Sequence, residues 1–264
     1  MTALRVLLLK NKTQPTDAYY DTFTHSGHVA DFVPLLEHSP VDVSQTVAYL
    51  ESPEFLHQTE RFIITSQRAV EVFCECLDLI SQKSPESAAK IRRKAGYTVG
   101  PATEQVLSKI GFVDVRGGAR AGNALKLADL ILDELSSVGS DNAGTIVFFT
   151  GVVRKDIIPV KLKANGVSVK EVAIYKTEPK EDIIENFLGR CSTPVDWIVF
   201  FSPQGTEDIV EHMVQTSPDV FIASIGPTTE EYLLLKGIAP HVIAAKPTAA
   251  SLYEGIQRFS STKT

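Results

Sequence analysis

Runs of consecutive apolar residues, each of strand length, alternate along this chain with segments whose apolar positions recur at helical spacing. The runs over residues 5–9, 29–35, 62–65, 97–99, 113–116, 145–149, 168–175, 197–201, 220–225 and 241–244 predict strands. Amphipathic segments over 16–25, 46–50, 69–80, 88–94, 104–110, 124–135, 155–164, 181–188, 206–215, 230–236 and 249–259 predict helices. Short strands alternating with helices predict an α/β fold with parallel sheets, and the first strand-helix-strand spacing predicts a right-handed crossover. Between these elements, 37–43 with Pro40 reads as a connector, 81–85 as a surface loop, 117–122 as a glycine-rich loop and polar 136–143 as a seam.

That seam divides two copies of one pattern. Phe62-Ile63-Ile64-Thr65-Ser66-Gln67 matches Val199-Phe200-Phe201-Ser202-Pro203-Gln204, Val6-Leu7-Leu8-Leu9-Lys10 is echoed by Ile146-Val147-Phe148-Phe149-Thr150, and the segment after Ser26-Gly27 is echoed after Asn165-Gly166. The plainest twin is a strand that breaks at a Gly-Pro pair and enters a helix: Gly100-Pro101-Ala102-Thr103 and Gly226-Pro227-Thr228-Thr229. In such a turn glycine permits a tight bend, proline suits the first helical turn, and threonines cap the helix or bind anions.

The duplication makes two modest domains the expected division of 264 residues, each able to bury a core. No apolar run approaches the roughly 20 residues that span a bilayer, and the chain runs from Met1 into a strand with no cleavage-site pattern. Cys74, Cys76 and Cys191 have no metal or redox spacing, so a reducing, cytoplasmic setting is expected. A net charge of −6 without a basic-aromatic stripe argues against nucleic acid. It leaves open a small anionic ligand, which responds to the local field of a cleft.

Parallel sheets bind ligands beyond the carboxyl ends of their strands. Here those ends carry Lys10, Thr65-Ser66, Gly100 to Thr103, Thr150-Gly151, Ser202-Pro203, Gly226 to Thr229 and Lys246-Pro247-Thr248. Hydroxyls, glycines and lysines facing helix N-termini suit several carboxylates or phosphates. Each hydroxyl could equally be a helix cap; the recurrence of the set in both copies favours an anion site. The six histidines do not cluster, and no P-loop, dinucleotide fingerprint, H-E-x-x-H or G-x-S-x-G occurs. These absences point away from a metal- or cofactor-dependent enzyme.

Read together, L-L-L-K at Leu7 to Lys10, T-S-x-R-A at Thr65 to Ala69, V-G-x-A-T at Val99 to Thr103, Tyr175-Lys176-Thr177 as a turn, F-F-S-P at Phe200 to Pro203 and I-G-P-T-T at Ile225 to Thr229 resemble the uroporphyrinogen-III synthase family. The resemblance implies two HemD-like α/β domains with flavodoxin-like layering, an active-site cleft between them, and a two-stranded linker hinge. Domain 1 would be discontinuous, 1–34 with 178–264, domain 2 would be 42–171, and the linkers would be 35–41 and 172–177. It also implies the reaction: cofactor-free closure of linear hydroxymethylbilane to uroporphyrinogen III, with loss of water and inversion of the last pyrrole ring. A cytoplasmic monomer in transient contact with hydroxymethylbilane synthase, without membrane or nucleic-acid partners, follows from the same resemblance.

By resemblance, Tyr175 is the tyrosine near the departing hydroxyl, and Ser66, Thr103, Ser202, Thr228 and Thr229 are substrate-contacting hydroxyls. Lys10, Arg68 and Lys155 would add charge for the acetate and propionate arms. Gly151-Val152-Val153-Arg154-Lys155-Asp156 departs from the family's more polar G-N-x-x-R-E pattern, which puts Arg154 and Lys155 in doubt. A non-catalytic two-lobed binding protein for a polycarboxylate would share the strand-exit chemistry. A two-domain glycosyltransferase is weaker, for want of an acidic or aromatic nucleotide-sugar constellation.

Overall fold

The computed structural model describes residues 3–138 and 144–262; residues 139–143 of the expected seam lie outside the described residues. The first part of the chain forms β1 (Arg5–Leu9), α1 (Ala18–His25), β2 (Val29–Val33), β3 (Leu36–Pro40), α2 (Val43–Leu50), a π-helical turn (Glu54–Gln58), β4 (Arg61–Ile64), α3 (Gln67–Lys83) and α4 (Pro85–Arg92). It continues through β5 (Ala95–Val99), α5 (Pro101–Lys109), β6 (Val115–Gly118), α6 (Ala124–Val138), β7 (Ile146–Gly151), α7 (Ile157–Ala164) and β8 (Val169–Pro179). The last part forms α8 (Ile183–Cys191), β9 (Trp197–Phe200), α9 (Glu207–Thr216), β10 (Phe221–Ser224), α10 (Pro227–Leu235), β11 (Val242–Ile243) and α11 (Ala249–Thr262).

The chain divides into two compact units, Met1–Glu37 with Glu178–Thr264, and His38–Thr177. In the first unit a five-stranded sheet runs β11-β10-β9-β1-β2, every pair parallel, with Leu7 opposite both Asp31 and Ile198. In the second a six-stranded sheet runs β3-β8-β7-β4-β5-β6. Both sheets are covered on two faces, which is why their strands read as continuous apolar runs. Along β1, Leu7 and Leu9 enter one core with Phe187, Phe200 and Leu233, while Val6 and Leu8 enter the other with Phe23, Trp197 and Leu252. The second unit repeats the arrangement: Phe62 and Phe149 pack with Phe73 on one face, and Ile63 and Phe148 with Ile131 and Leu162 on the other. Each fully buried side chain of this kind contributes about 1.5–3 kcal/mol through removal from water.

Several local expectations are corrected. Residues 36–40 form a strand rather than a connector, and Tyr175 to Thr177 lie inside the long strand β8 rather than in a turn. Lys180 donates its backbone N–H to Leu35, His38 meets Thr177 at 2.8 Å, and Val41 donates to Ile174. Numbers rise on one strand as they fall on the other, so this edge pair is antiparallel. Pro40 is tolerated because β3 is an edge strand. The loop expected over 81–85 narrows to Ser84, which ends α3 and precedes Pro85 at the start of α4. The π-helical turn, at five residues, is too short to carry a periodic signal.

Candidate functional site

In the first unit the strand exits carry Lys10, Ser202 and the Thr228-Thr229 pair. Lys10 follows β1 and is held by Asp17, Nζ to Oδ2 2.5 Å, with the aromatic rings of Tyr19 and Phe201 at 5.0 and 5.5 Å. Asp17 is buried and caps α1, accepting from the N–H groups of Tyr19 and Tyr20 while also accepting from that of Thr13. Burial opposes its charge, but the hydrogen bonds from Lys10, Thr13 and Tyr20 outweigh burial and hold the carboxyl down at about 2. Lys10 therefore already has an acidic partner, one that residue spacing did not reveal although Asp17 stands where an N-cap belongs.

Beyond β10, Ser224 closes the Gly-Pro turn: its Oγ donates to the Gly226 carbonyl at 2.7 Å and accepts from the Gly226 N–H at 3.3 Å. Gly226 has φ 174°, an extended conformation open to any residue, whereas its twin Gly100 has φ 77° and does need glycine. Gly226 serves instead to leave the exit uncovered, since an added Cβ there would meet nothing within 4 Å. Thr228 is exposed and Thr229 buried in the first turn of α10, whose N-cap makes no side-chain hydrogen bond. Ser202 Oγ lies 3.5 Å from the Gln204 carbonyl, at the limit of a hydrogen bond.

In the second unit Ser66 occupies the N-cap position of α3 and Thr103 lies buried in the first turn of α5, and neither helix has a side-chain cap bond. Real caps in this chain look different: Asp17 and Asp42 both accept from first-turn N–H groups. The hydroxyls at the exits thus stand beside first-turn N–H groups that no cap side chain satisfies, a setting suited to anions. Arg68 pairs with Glu71 at 2.9 Å on the surface of α3. Arg154 is tied to Glu171, which Lys163 also meets at 3.1 Å, while neighbouring Lys155 is exposed and without an acidic partner among the described residues.

Tyr175 lies on β8 where the β7 pairing slips, Thr150 facing Ala173 and Gly151 facing Tyr175. Its ring rests on Gly151 so closely that a Cβ there would come within 2.7 Å of Cζ and 2.9 Å of Oη. This glycine seat went unrecognised in the sequence, where Gly151 appeared only as part of a strand exit. The structure brings Lys10, Ser202, Thr228 and Thr229 to strand exits of one unit and Ser66, Thr103 and Lys155 to those of the other. Among the described residues no group of three or more His, Cys, Asp or Glu could hold a metal ion.

Two α/β units, each built on a largely parallel sheet with hydroxyls at its strand exits, define a class of two-unit α/β protein. Within that class, the family model described as uroporphyrinogen-III synthase HemD matches residues 17–254. The chain is 37% identical to uroporphyrinogen-III synthase of Saccharomyces cerevisiae over 98% of both chains, and 32% identical to that of Schizosaccharomyces pombe over 96% of both. The crystal structure of uroporphyrinogen-III synthetase from Helicobacter pylori shares the fold, with a TM-score of 0.55 and 16% identity over 97% of this chain and 99% of that one. The chain belongs to the uroporphyrinogen-III synthase family.

Proposed function

We propose that this chain acts on hydroxymethylbilane through the strand-exit residues of its two units, with Tyr175 assisting departure of the hydroxyl. The reaction is the family's: cyclisation to uroporphyrinogen III in tetrapyrrole biosynthesis, carried by a match that spans nearly the whole chain. The C–O bond of the terminal hydroxymethyl group breaks and, with a pyrrole N–H proton, leaves as water; the exocyclic carbon of the resulting azafulvene is attacked by the substituted α-carbon of the last pyrrole. The spirocyclic intermediate then reopens and recloses with that ring inverted.

The substrate loses its hydroxyl readily, so the protein's task is mainly geometric. Hydroxyls of Ser66, Thr103, Ser202, Thr228 and Thr229, with first-turn N–H groups, hold acetate and propionate arms. Lys155 adds a positive charge with no acidic partner among the described residues; Lys10 and Arg68 contribute through groups already shared with Asp17 and Glu71. Tyr175 donates a hydrogen bond to the leaving oxygen, its ring fixed by the Gly151 seat. Because free hydroxymethylbilane closes unflipped on its own, a cytoplasmic monomer in transient contact with hydroxymethylbilane synthase is the arrangement that best protects the product's identity.

Hydroxymethylbilane generated in situ, incubated with the purified protein and oxidised to porphyrins, separates into I and III isomers. Predominantly III is expected. Only I, at the spontaneous rate and from folded protein, would leave a binding protein that returns its ligand unchanged.

A further inference from the structure

In the second unit, the amino-terminal ends of β4, β5 and β6 border a cavity of about 360 Å³. The strands are parallel, so these ends lie opposite the exits at Ser66 and Gly100. A strand advances about 3.3 Å per residue, and the run from Lys94 to Gly100 separates the two ends by roughly 20 Å. Five cationic side chains, Arg61, Lys90, Arg93, Lys94 and Arg116, line the cavity against the carboxylates of Glu60 and Asp114.

Three of these cations have acidic partners. Arg116 is bound by Asp114 and Glu134 at 2.6 and 2.8 Å, Lys90 by Glu86 at 3.2 Å, and Arg61 lies 3.5 Å from Glu60. Lys94 and Arg93 differ. Lys94 is 7% exposed, and its ammonium donates to the carbonyls of Thr59 and Leu56, at 2.5 and 3.3 Å, beside the Phe55 ring. Among the described residues no carboxylate joins it in an ion pair, and burial pulls its pKa below the ordinary value against the smaller opposing effect of the Glu60 charge. Arg93 is exposed, and among the described residues it has no acidic partner.

Burying an ammonium without a directly paired carboxylate is costly. The dipole of α4 accounts for Lys90 and Arg92 in its last turn, but not for a buried lysine beyond the helix or an arginine arriving on β4. The π-helical turn contributes Leu56 and His57 to the wall, and such turns often mark functional positions. The lining carries more cationic than acidic side chains on a chain whose net charge is −6.

We propose that this cavity is a second ligand site, one that takes a small multiply charged oxyanion of the phosphate class, with Lys94 and Arg93 as its principal contacts. Its volume stands near the lower end of ligand pockets, which suits a phosphate or a small phosphate ester rather than a tetrapyrrole. The site is independent of the synthase reading.

The test uses the full chain at low ionic strength, titrated in separate arms with inorganic pyrophosphate and with a sugar monophosphate, followed by calorimetry and backbone amide NMR. Saturable binding of at least one probe is expected, with shifts centred on Leu56, Thr59 and Ala95. Arg93→Glu, on an exposed side chain, is expected to weaken it by about tenfold or more while leaving isomer III formation unchanged. Lys94→Met keeps the stem and removes the charge, and is expected to abolish binding; if it fails to fold, Arg93→Glu decides. No saturable binding of either probe, equal binding by Arg93→Glu, or shifts confined to Ser66, Gly100 and Thr103 would overturn the proposal.

Discussion

Asp17 illustrates how a single buried group changes the meaning of a sequence motif. Its folded pKa of about 2 lies below the ordinary 3.8, so ionisation favours the folded state at any pH above about 4, and that contribution is lost as pH falls from 3.8 towards 2. Asp17→Asn is expected to cost about 2 kcal/mol at neutral pH, and urea unfolding should show the gap from wild type closing across that acid window. Tyr175→Phe removes a hydroxyl while the ring keeps its Gly151 seat. Turnover to isomer III is expected to fall about tenfold to a hundredfold with stability unchanged; full turnover would make this tyrosine a packing residue. Thr229→Ala separates binding from capping, because α10 has no side-chain cap to lose. It is expected to lower turnover by roughly tenfold for about 1 kcal/mol of stability, with Thr229→Ser restoring turnover. The hydroxyls were legible because strand exits are readable from apolar runs. Asp17 as the partner of Lys10 was not, since side-chain pairing depends on how the chain turns between Lys10 and α1.

Among the elements, strands buried on both faces were the most legible, and those carrying the linkers the least. The apolar run at Phe62 to Ile64 has one structural meaning, whereas Leu36–Pro40, with Glu37, His38 and Ser39, is polar because it forms an edge. An edge strand needs no apolar face, so hydropathy gives it no signature. The β5–β6 edge relies on glycine in a way that composition only hinted at. Gly117 has φ 89°, and a Cβ there would collide with the Thr98 carbonyl oxygen as well as the Leu127 side chain. Backbone cannot move aside as a flexible side chain can. Gly117→Ala is therefore expected to destabilise the second unit by about 2 kcal/mol or more, measured as a lower unfolding midpoint. Gly100→Ala meets no neighbour, but its φ of 77° with ψ 153° lies in a region almost confined to glycine, so the backbone alone should cost about 1–3 kcal/mol.

At the scale of the molecule, the repeat and the folded units cut the chain differently. By sequence, β1 and β2 belong with β4 to β6, and β7 and β8 with β9 to β11; in the structure β1 and β2 complete the sheet of β9 to β11, and β7 and β8 that of β4 to β6. The orders β2-β1-β9-β10-β11 and β8-β7-β4-β5-β6 are thus the same arrangement assembled from exchanged halves. Periodicity identifies which segments are alike but not which of two equivalent partners each will choose, so this exchange leaves no mark in the pattern. It does have a testable consequence. The second unit, His38–Thr177, is one continuous stretch with its own two-faced core, and its ends meet where His38 Nδ1 lies 2.8 Å from Thr177 Oγ1. Removing it leaves Glu37 and Glu178 to be joined by a short glycine linker. Both products are expected to fold, each with a cooperative urea transition and dispersed amide spectra, because neither loses a strand from the body of its sheet. Neither alone, nor the two mixed, should raise isomer III above the spontaneous background, since each retains only part of the proposed substrate contacts. A non-cooperative transition in either product would mean that its sheet depends on the other unit, and isomer III from His38–Thr177 alone would confine the chemistry to the unit that carries Tyr175.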